Sequence, residues 1–489
     1  MTLLDTHLLD TRTWSGLIFS GGWREAAGGD APVVEPATGD ELERIGSATP
    51  EDVADACARA AEAQPAWAAA PFDERAAVLR RASALMVEHA EEIQGWVVRE
   101  TGGIPPKAGL ETQIAGGELD EAAALASAPY GELLRSHEQR LSMARRVPAG
   151  VVGVIAPFNF PLILGMRSVA PALAVGNAVV LKPDPRTAVA GGVVIARLLE
   201  EAGLPDGVLH MLPGGAEAGG ALVEDPRVRI VSFTGSTAAG RKVGEAAARH
   251  LKRVHLELGG NSALVVLDDA DLEPTISAAA FGSFIHQGQV CMTTGRHIVH
   301  ESLADEYVSR LADKASHLPV GIPATDQVAL GPVIDAGQRD RVHSLVTASV
   351  ELGARVAAGG SYDELFYRPT VLAEVAGTPA WREEIFGPVA PVASFSSEEE
   401  AVQLAADTGY GLSLGIITRD VMKGVALADR IPSGIVHIND QTVGDEAVAP
   451  FGGVGDSGTG SRLGGLGNLQ AFTETQWLTI AGEVPPYPF

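Results

Sequence analysis

Between residues 151 and 258 short β-branched runs alternate with alanine- and leucine-rich stretches, and this alternation leaves few folds open. Runs at 151–156, 178–181, 208–212, 229–233 and 254–258 have the length and apolar character of strands. Helical spacing fills 162–174, 187–202, 216–223 and 237–250 between them. Strands joined by helical crossovers lie parallel, so a doubly wound sheet is expected, with ligands bound beyond the carboxyl ends of its strands. A second α/β series follows, with a strand at 264–267, a helix at 271–287, a strand at 297–300 and further elements to about Asn439. A chain of 489 residues exceeds what one core usually supports, which also argues for two large lobes.

Ahead of the sheet, residues 48–101 are rich in Ala, Glu and Arg at helical spacing and read as two helices. Thr49-Pro50-Glu51-Asp52 opens the first, with Thr49 as cap and Pro50 at the first helical position. Cys57 falls inside it as a small apolar residue expected to be buried and inert. Residues 133–148 read as an exposed hairpin and 476–480 as a short amphipathic strand. Unpaired edges of that kind favour subunit pairing.

Charge and composition exclude several classes. The formal net charge of −26 argues against a nucleic-acid or anionic-membrane surface. Two cysteines cannot make a disulfide framework and fit a reducing cytoplasm. Met1-Thr2-Leu3-Leu4-Asp5 lacks the basic and apolar regions of a signal peptide, and no apolar run is long enough to span a membrane. The twelve histidines show neither HExxH nor CxxC spacing, so no metal site is expected.

Five local motifs carry possible chemistry. Cys291, in His286-Gln287-Gly288-Gln289-Val290-Cys291-Met292, is a candidate nucleophile; alone it reads more readily as a buried structural thiol. Glu257, before Gly259-Gly260, could accept a proton from water or merely accept turn N–H groups. Asn159, in Pro157-Phe158-Asn159-Phe160-Pro161, could donate to an oxyanion or satisfy its own turn. Lys182-Pro183 ends the second strand. Phe233-Thr234-Gly235-Ser236 opens a helix whose amino end suits a phosphate, although its glycine spacing is not GxGxxG. A Cys–His hydrolase using His286 or His297 is disfavoured, because both lie in the thiol's own segment.

Together, and with Glu384-Ile385-Phe386-Gly387-Pro388 and Pro450-Phe451-Gly452-Gly453 followed by Ser457-Gly458, these motifs resemble the NAD(P)-dependent aldehyde dehydrogenase superfamily in sequence order. The resemblance implies two doubly wound α/β lobes and a small β arm. Residues 1–126 and 149–258 would form the dinucleotide-binding domain, 259–455 the catalytic domain, and 127–148 with 470–489 the oligomerisation arm of a homodimer or homotetramer. It implies Cys291 as nucleophile, Asn159 as oxyanion donor and Glu257 as general base, and the presence of Glu257 argues against a CoA-acylating enzyme. Cofactor contacts would come from Ile155, Pro157, Phe158, Lys182, Pro183, Asp184, Arg186, Gly235, Ser236, Glu257, Leu258, Gly259, Glu384 and Phe386. Many NAD-preferring members carry a glutamate where this chain has Pro185; NAD is the expected cofactor, with NADP left open by Arg186.

The runs at 182–188 and 286–294 are most similar to those of bacterial benzaldehyde, vanillin and salicylaldehyde dehydrogenases. A substrate pocket is therefore expected from Phe160, Ile163, Leu164, Arg167, Val290 and Met292, with Ile163 and Arg167 on one helical face. An interlobe salt bridge is the competing role for Arg167. Oxidation of an aliphatic aldehyde or a semialdehyde is the alternative reading, and a catalytically silent member of the fold a more distant one.

Overall fold

The computed structural model describes residues 7–488, so the reading of Met1-Thr2-Leu3-Leu4-Asp5 lies outside it. The five runs form one parallel sheet in the spatial order Arg253–Glu257, Val228–Thr234, Val151–Ile155, Ala178–Lys182, Leu209–Met211. Strand order reverses between Val151–Ile155 and Val228–Thr234, which makes the crevice above their carboxyl ends the place for a ligand. Two antiparallel strands that the alternation did not reveal, Leu17–Ser20 and Trp23–Glu25, extend the far edge.

The apolar pattern explains why both faces of this sheet are covered. Val152, Val154, Val179 and Leu181 enter one core with the helices of residues 72–125, and Val151, Ile155, Ala178 and Val180 enter another on the opposite face. Adjacent strand residues point to opposite faces, so a strand apolar at every position needs helices on both sides. The second sheet repeats the scheme around Ser262–Val266, Thr294–His300, Val389–Phe395 and Ser413–Ile417, with separate cores on its two faces. Only its edge strand Arg355–Ala358 runs antiparallel to its neighbour.

Residues 48–101 form three helices rather than two: Pro50–Ala69, Phe72–Glu88 and Ala90–Thr101. His89 ends one helix and directly precedes the next, a break that an unbroken apolar period conceals. The start is as expected: the Thr49 side chain accepts from the Asp52 N–H, Asp52 accepts from the Thr49 N–H, and Pro50 is the first helical residue. Cys57 is fully buried, and burial pushes its thiol up to about 12. Leu141–Pro148 pairs along its whole length with Thr473–Ile480 and on its other side with Gly131–Leu134.

The expected helix at 271–287 stops early, at Phe284. His286, Gln287 and Gly288 follow with φ of 49°, 56° and 66°. Left-handed backbone costs roughly 1–2 kcal/mol per non-glycine residue, so surrounding contacts must hold these two in place. Gln287 Nε2 donates to the carbonyls of Gly102 (2.8 Å) and Pro332 (2.6 Å). A side chain on Gly288 would overlap the Gly387 carbonyl. Gly288→Ala is expected to destabilise the fold by about 1–2 kcal/mol from backbone strain alone. Urea unfolding checks this, and a loss within about 0.5 kcal/mol, ordinary for surface changes, would mean that the loop relaxes freely.

Candidate active site

Asn159 sits between the strand Val151–Ile155 and the helix Pro161–Ala174, directly above the reversal of strand order. It is buried, and its Nδ2 donates to the Gln289 carbonyl at 2.8 Å. A carboxamide nitrogen carries two hydrogens, so one remains for an oxygen in the crevice. The bond also ties the first sheet's loop to the segment bearing Cys291. Beneath it, the ring of Phe160 meets His286 edge-on at 5.4 Å and carries Lys107 Nζ at 4.4 Å. Lys107 is paired with Glu111, whose other oxygen accepts the Leu162 N–H at 2.8 Å, in the first turn of the following helix.

Cys291 is half-buried and packs against the core that contains Phe160, Ile163, Leu164, Val290, Met292 and Phe451. Its backbone is fixed from two sides. Thr442 Oγ1 donates to the Met292 carbonyl at 2.6 Å, and a side chain on Gly260 would come within 2.6 Å of the Cys291 carbonyl oxygen. Burial pushes the thiol up to about 12, reinforced by Glu384, Glu257 and Asp445 and opposed by Arg167. The sulfur therefore rests as a thiol at neutral pH until an electrostatic change in the cleft favours the thiolate.

Glu257 is the last residue of the strand Arg253–Glu257, and the Leu258 N–H donates to the Ser457 carbonyl at 2.9 Å. The carboxylate is buried, and neither oxygen has a hydrogen-bond partner among the described residues. Burial holds its pKa well above the usual range, opposed by the positive charges of Arg167 and Arg462. The turn-satisfying role considered for Glu257 is thus not the one it plays here. An unpartnered buried carboxylate of raised basicity is suited to taking a proton from water. Gly260, three residues on, lies against the Cys291 carbonyl, so the carboxylate and the thiol belong to neighbouring loops.

The remaining candidates ring the same crevice. Glu384 Oε1 accepts the Gly260 N–H at 3.0 Å, and a side chain on Gly259 would overlap the Glu384 carboxylate. Burial raises Glu384 to about 7. Phe386, at φ 54°, stands edge-on to Phe158 at 5.9 Å. Lys182 is buried at the end of its strand with Nζ donating to the Pro183 carbonyl at 3.2 Å, beside the helix Ala216–Glu224. Ser236 caps the helix Thr237–Arg249 by accepting the Ala239 N–H. Gly235 leaves room for the ring of Phe233.

Two arginines are more committed than their sequence suggests. Arg186 grips Asp184 with two nitrogens at 2.8 and 2.9 Å, reaches Asp335 at 2.6 Å, and lies over the Phe158 ring at 4.3 Å. Arg167 is buried, with Nε on Glu118 at 2.8 Å and Nη2 on both oxygens of Asp445 at 2.8 and 2.7 Å. Its guanidinium also stacks on Phe451 at 4.6 Å, and Nη1 is buried without a partner among the described residues. The interlobe salt-bridge reading is thereby realised, while one donor stays uncommitted. Glu118, Asp445, Lys107 and Arg462 went unremarked in the sequence. The i, i+4 spacing of Lys107 and Glu111 was readable, but Arg167 meets Glu118 from 49 residues away and Asp445 from 278. No cluster of three or more potential metal ligands occurs among the described residues.

The thiol environment makes a direct prediction. Iodoacetamide should modify Cys291 slowly at pH 7, and the rate should climb through the alkaline range as the fraction of thiolate grows. Cys57 should stay unmodified in the folded protein. A rate at Cys291 that is flat from about pH 7 to 10, values that bracket an ordinary cysteine pKa, would contradict a raised thiol pKa.

Comparison with known proteins gives a consistent result. The family model described as "Aldehyde dehydrogenase family" matches residues 23–478. A vanillin dehydrogenase from an Amycolatopsis species is 69% identical, the match covering 98% of this chain and 99% of that protein. The benzaldehyde dehydrogenase [NAD(+)] of Pseudomonas putida is 50% identical over 97% of this chain and 98% of its own. Among solved structures, a salicylaldehyde dehydrogenase from Pseudomonas putida G7 complexed with salicylaldehyde superposes with a TM-score of 0.93 at 35% identity, covering 97% of this chain and 99% of that one. Family and relatives together support a nicotinamide cofactor and a small-molecule aldehyde substrate. A half-buried thiol, an unpartnered buried carboxylate and a buried carboxamide, each at the end of a strand or in the loop beside it, agree with that outcome: the chain belongs to the aldehyde dehydrogenase family.

Proposed function

We propose that this protein oxidises an aromatic aldehyde of the benzaldehyde or vanillin type to its carboxylic acid. The observation that carries the reading is the convergence of Cys291, Glu257 and Asn159 on one cleft beside apolar side chains. Phe160, Ile163, Leu164, Val290 and Met292 are buried members of the apolar cluster against which the thiol packs, and a planar ring is suited to such a surface. The buried, unpartnered Nη1 of Arg167 offers a ring hydroxyl or methoxy group one donor from a guanidinium already neutralised by Glu118 and Asp445. The 69% identity to a vanillin dehydrogenase supports the same substrate class.

In the mechanism, Cys291 as thiolate adds to the aldehyde carbon, and Asn159 with the Cys291 backbone N–H holds the oxyanion. The chemistry that a nicotinamide bound beside Cys291 would supply is that of a hydride acceptor for the former aldehyde carbon. Cys291 then carries the acyl group as a thioester, and Glu257 takes a proton from the water that hydrolyses it. Lys182 and Glu384 would hold the two riboses, the amino end of Thr237–Arg249 the pyrophosphate, and Phe386 would pack beside the nicotinamide.

NAD is the favoured cofactor. The positive charge of Arg186 is already met by Asp184 and Asp335, so little remains to attract a 2′-phosphate. Leu133, Trp477 and Ile480 are exposed on the three-stranded sheet, and Thr473–Ile480 has one unpaired edge, which supports this arm as the contact of a homodimer or homotetramer. The two free cysteines suit a reducing, cytoplasmic setting.

Cys291→Ala should abolish aldehyde oxidation while NAD still binds. Glu257→Gln should allow one burst of hydride transfer and then slow turnover by about 10²–10⁴-fold, the usual range for loss of a general base. Full turnover in either variant would overturn the assignment. Initial rates with benzaldehyde, vanillin and a short aliphatic aldehyde, each with NAD and NADP, test substrate and cofactor together. The highest kcat/KM is expected for an aromatic aldehyde with NAD, and a higher value for the aliphatic aldehyde would favour the alternative reading.

A further inference from the structure

Glu257 has a second cationic neighbour that the mechanism above does not use. A methyl group on Gly452 would come within 2.9 Å of Glu257 Oε1 and 3.1 Å of Arg462 Nη1. Carboxylate and guanidinium therefore flank one glycine, within the roughly 6 Å over which an opposite charge favours an ionised acid. Arg462 is fixed in place, with Nη1 donating to the carbonyls of Gly453 at 3.1 Å and Ser461 at 2.9 Å. Those acceptors carry no net charge. Arg167, the other cation acting on Glu257, is shared between Glu118 and Asp445.

We propose that Arg462 is a positioning residue for Glu257, keeping the base ionised and turned toward Gly452 between turnovers and favouring loss of its proton after each one. The inference rests on the reading of Glu257 as the base. During deacylation a water proton passes to Glu257 while the water oxygen bonds to the thioester carbon. The carbon–sulfur bond then breaks, the sulfur leaves as the Cys291 thiolate, and the acid product departs. Glu257 is now neutral, and its proton must reach solvent before the next cycle. A cation fixed beside the carboxylate stabilises only the anionic form, so it drives that release. The charged and titratable groups around Glu257 are Arg167 on the helix Pro161–Ala174, with Glu118 and Asp445 behind it; Cys291 on its loop, with Glu384 beyond; His255 two residues back on its own strand; and Arg462 on the loop after Gly452.

Arg462→Gln and Arg462→Lys, measured in the full enzyme with NAD and benzaldehyde beside Glu257→Gln, test the proposal. In Arg462→Gln the acid limb of the deacylation rate should move to higher pH by about one unit or more, the lower end of the effect of a nearby opposite charge. Below that limb the rate should fall roughly tenfold, as one pH unit requires, with the hydride burst unchanged. Arg462→Lys should return the limb toward its original pH. An unmoved limb in Arg462→Gln, a burst that falls in step with turnover, or a limb displaced as far by Lys as by Gln would each overturn the role of the charge. Should Arg462→Gln fail to fold, the Lys variant alone decides: a limb within half a unit of the parent supports the proposal, and a larger upward shift overturns it. Full turnover in Glu257→Gln would instead defeat the assignment of the base itself, so the two failures are distinguishable.

Discussion

The close approach of backbone segments at a few glycines is the constraint on which the cleft depends. The first sheet ends at Glu257 and the second begins at Ser262, so four residues connect the lobes there. Within them Gly259 lies against the Glu384 carboxylate and Gly260 against the Cys291 carbonyl, contacts that any side chain would block. Gly288 sits similarly on Gly387, and Gly452 on Glu257. Four separate loops can meet around one point because each contributes bare backbone where it touches the next.

That crowding produces the electrostatics. Loops packed this tightly bury the side chains between them, and burial is the leading cause of the raised pKa of Cys291, Glu257 and Glu384 alike. The two carboxylates also disfavour ionisation of the Cys291 thiol. The counterweight is a small set of guanidinium groups whose own positions are fixed: Arg167 by two carboxylates and an aromatic face, Arg462 by backbone carbonyls. Burial raises the pKa of these groups, and the two guanidinium groups oppose that rise at Glu257.

What could be read in the chain beforehand follows from the range of each signal. The parallel strands were legible because each is a short run with apolar residues and the first four are each followed by a helical period, both local properties. Cys291, Glu257 and Asn159 were legible because each lies in a short motif at the end of such an element. The left-handed run His286-Gln287-Gly288 was not, since nothing in the apolar spacing of 271–287 marks where the helix must stop; the stop is imposed by Gln287 reaching Gly102 and Pro332. Likewise Arg167 showed its helical face but not its partners, because Glu118 and Asp445 come from opposite sides of the sequence. The strands Leu17–Ser20 and Trp23–Glu25 are too short to carry a period at all.

The pairing of Thr473–Ile480 with Leu141–Pro148 has a bearing on how the molecule is made. A ribosome delivers the middle strand of this small sheet long before its terminal neighbour, and the same late stretch brings Ser457, whose carbonyl receives the Leu258 N–H next to the base. A nascent chain can thus assemble most of its first parallel sheet yet lack the last wall of the cleft.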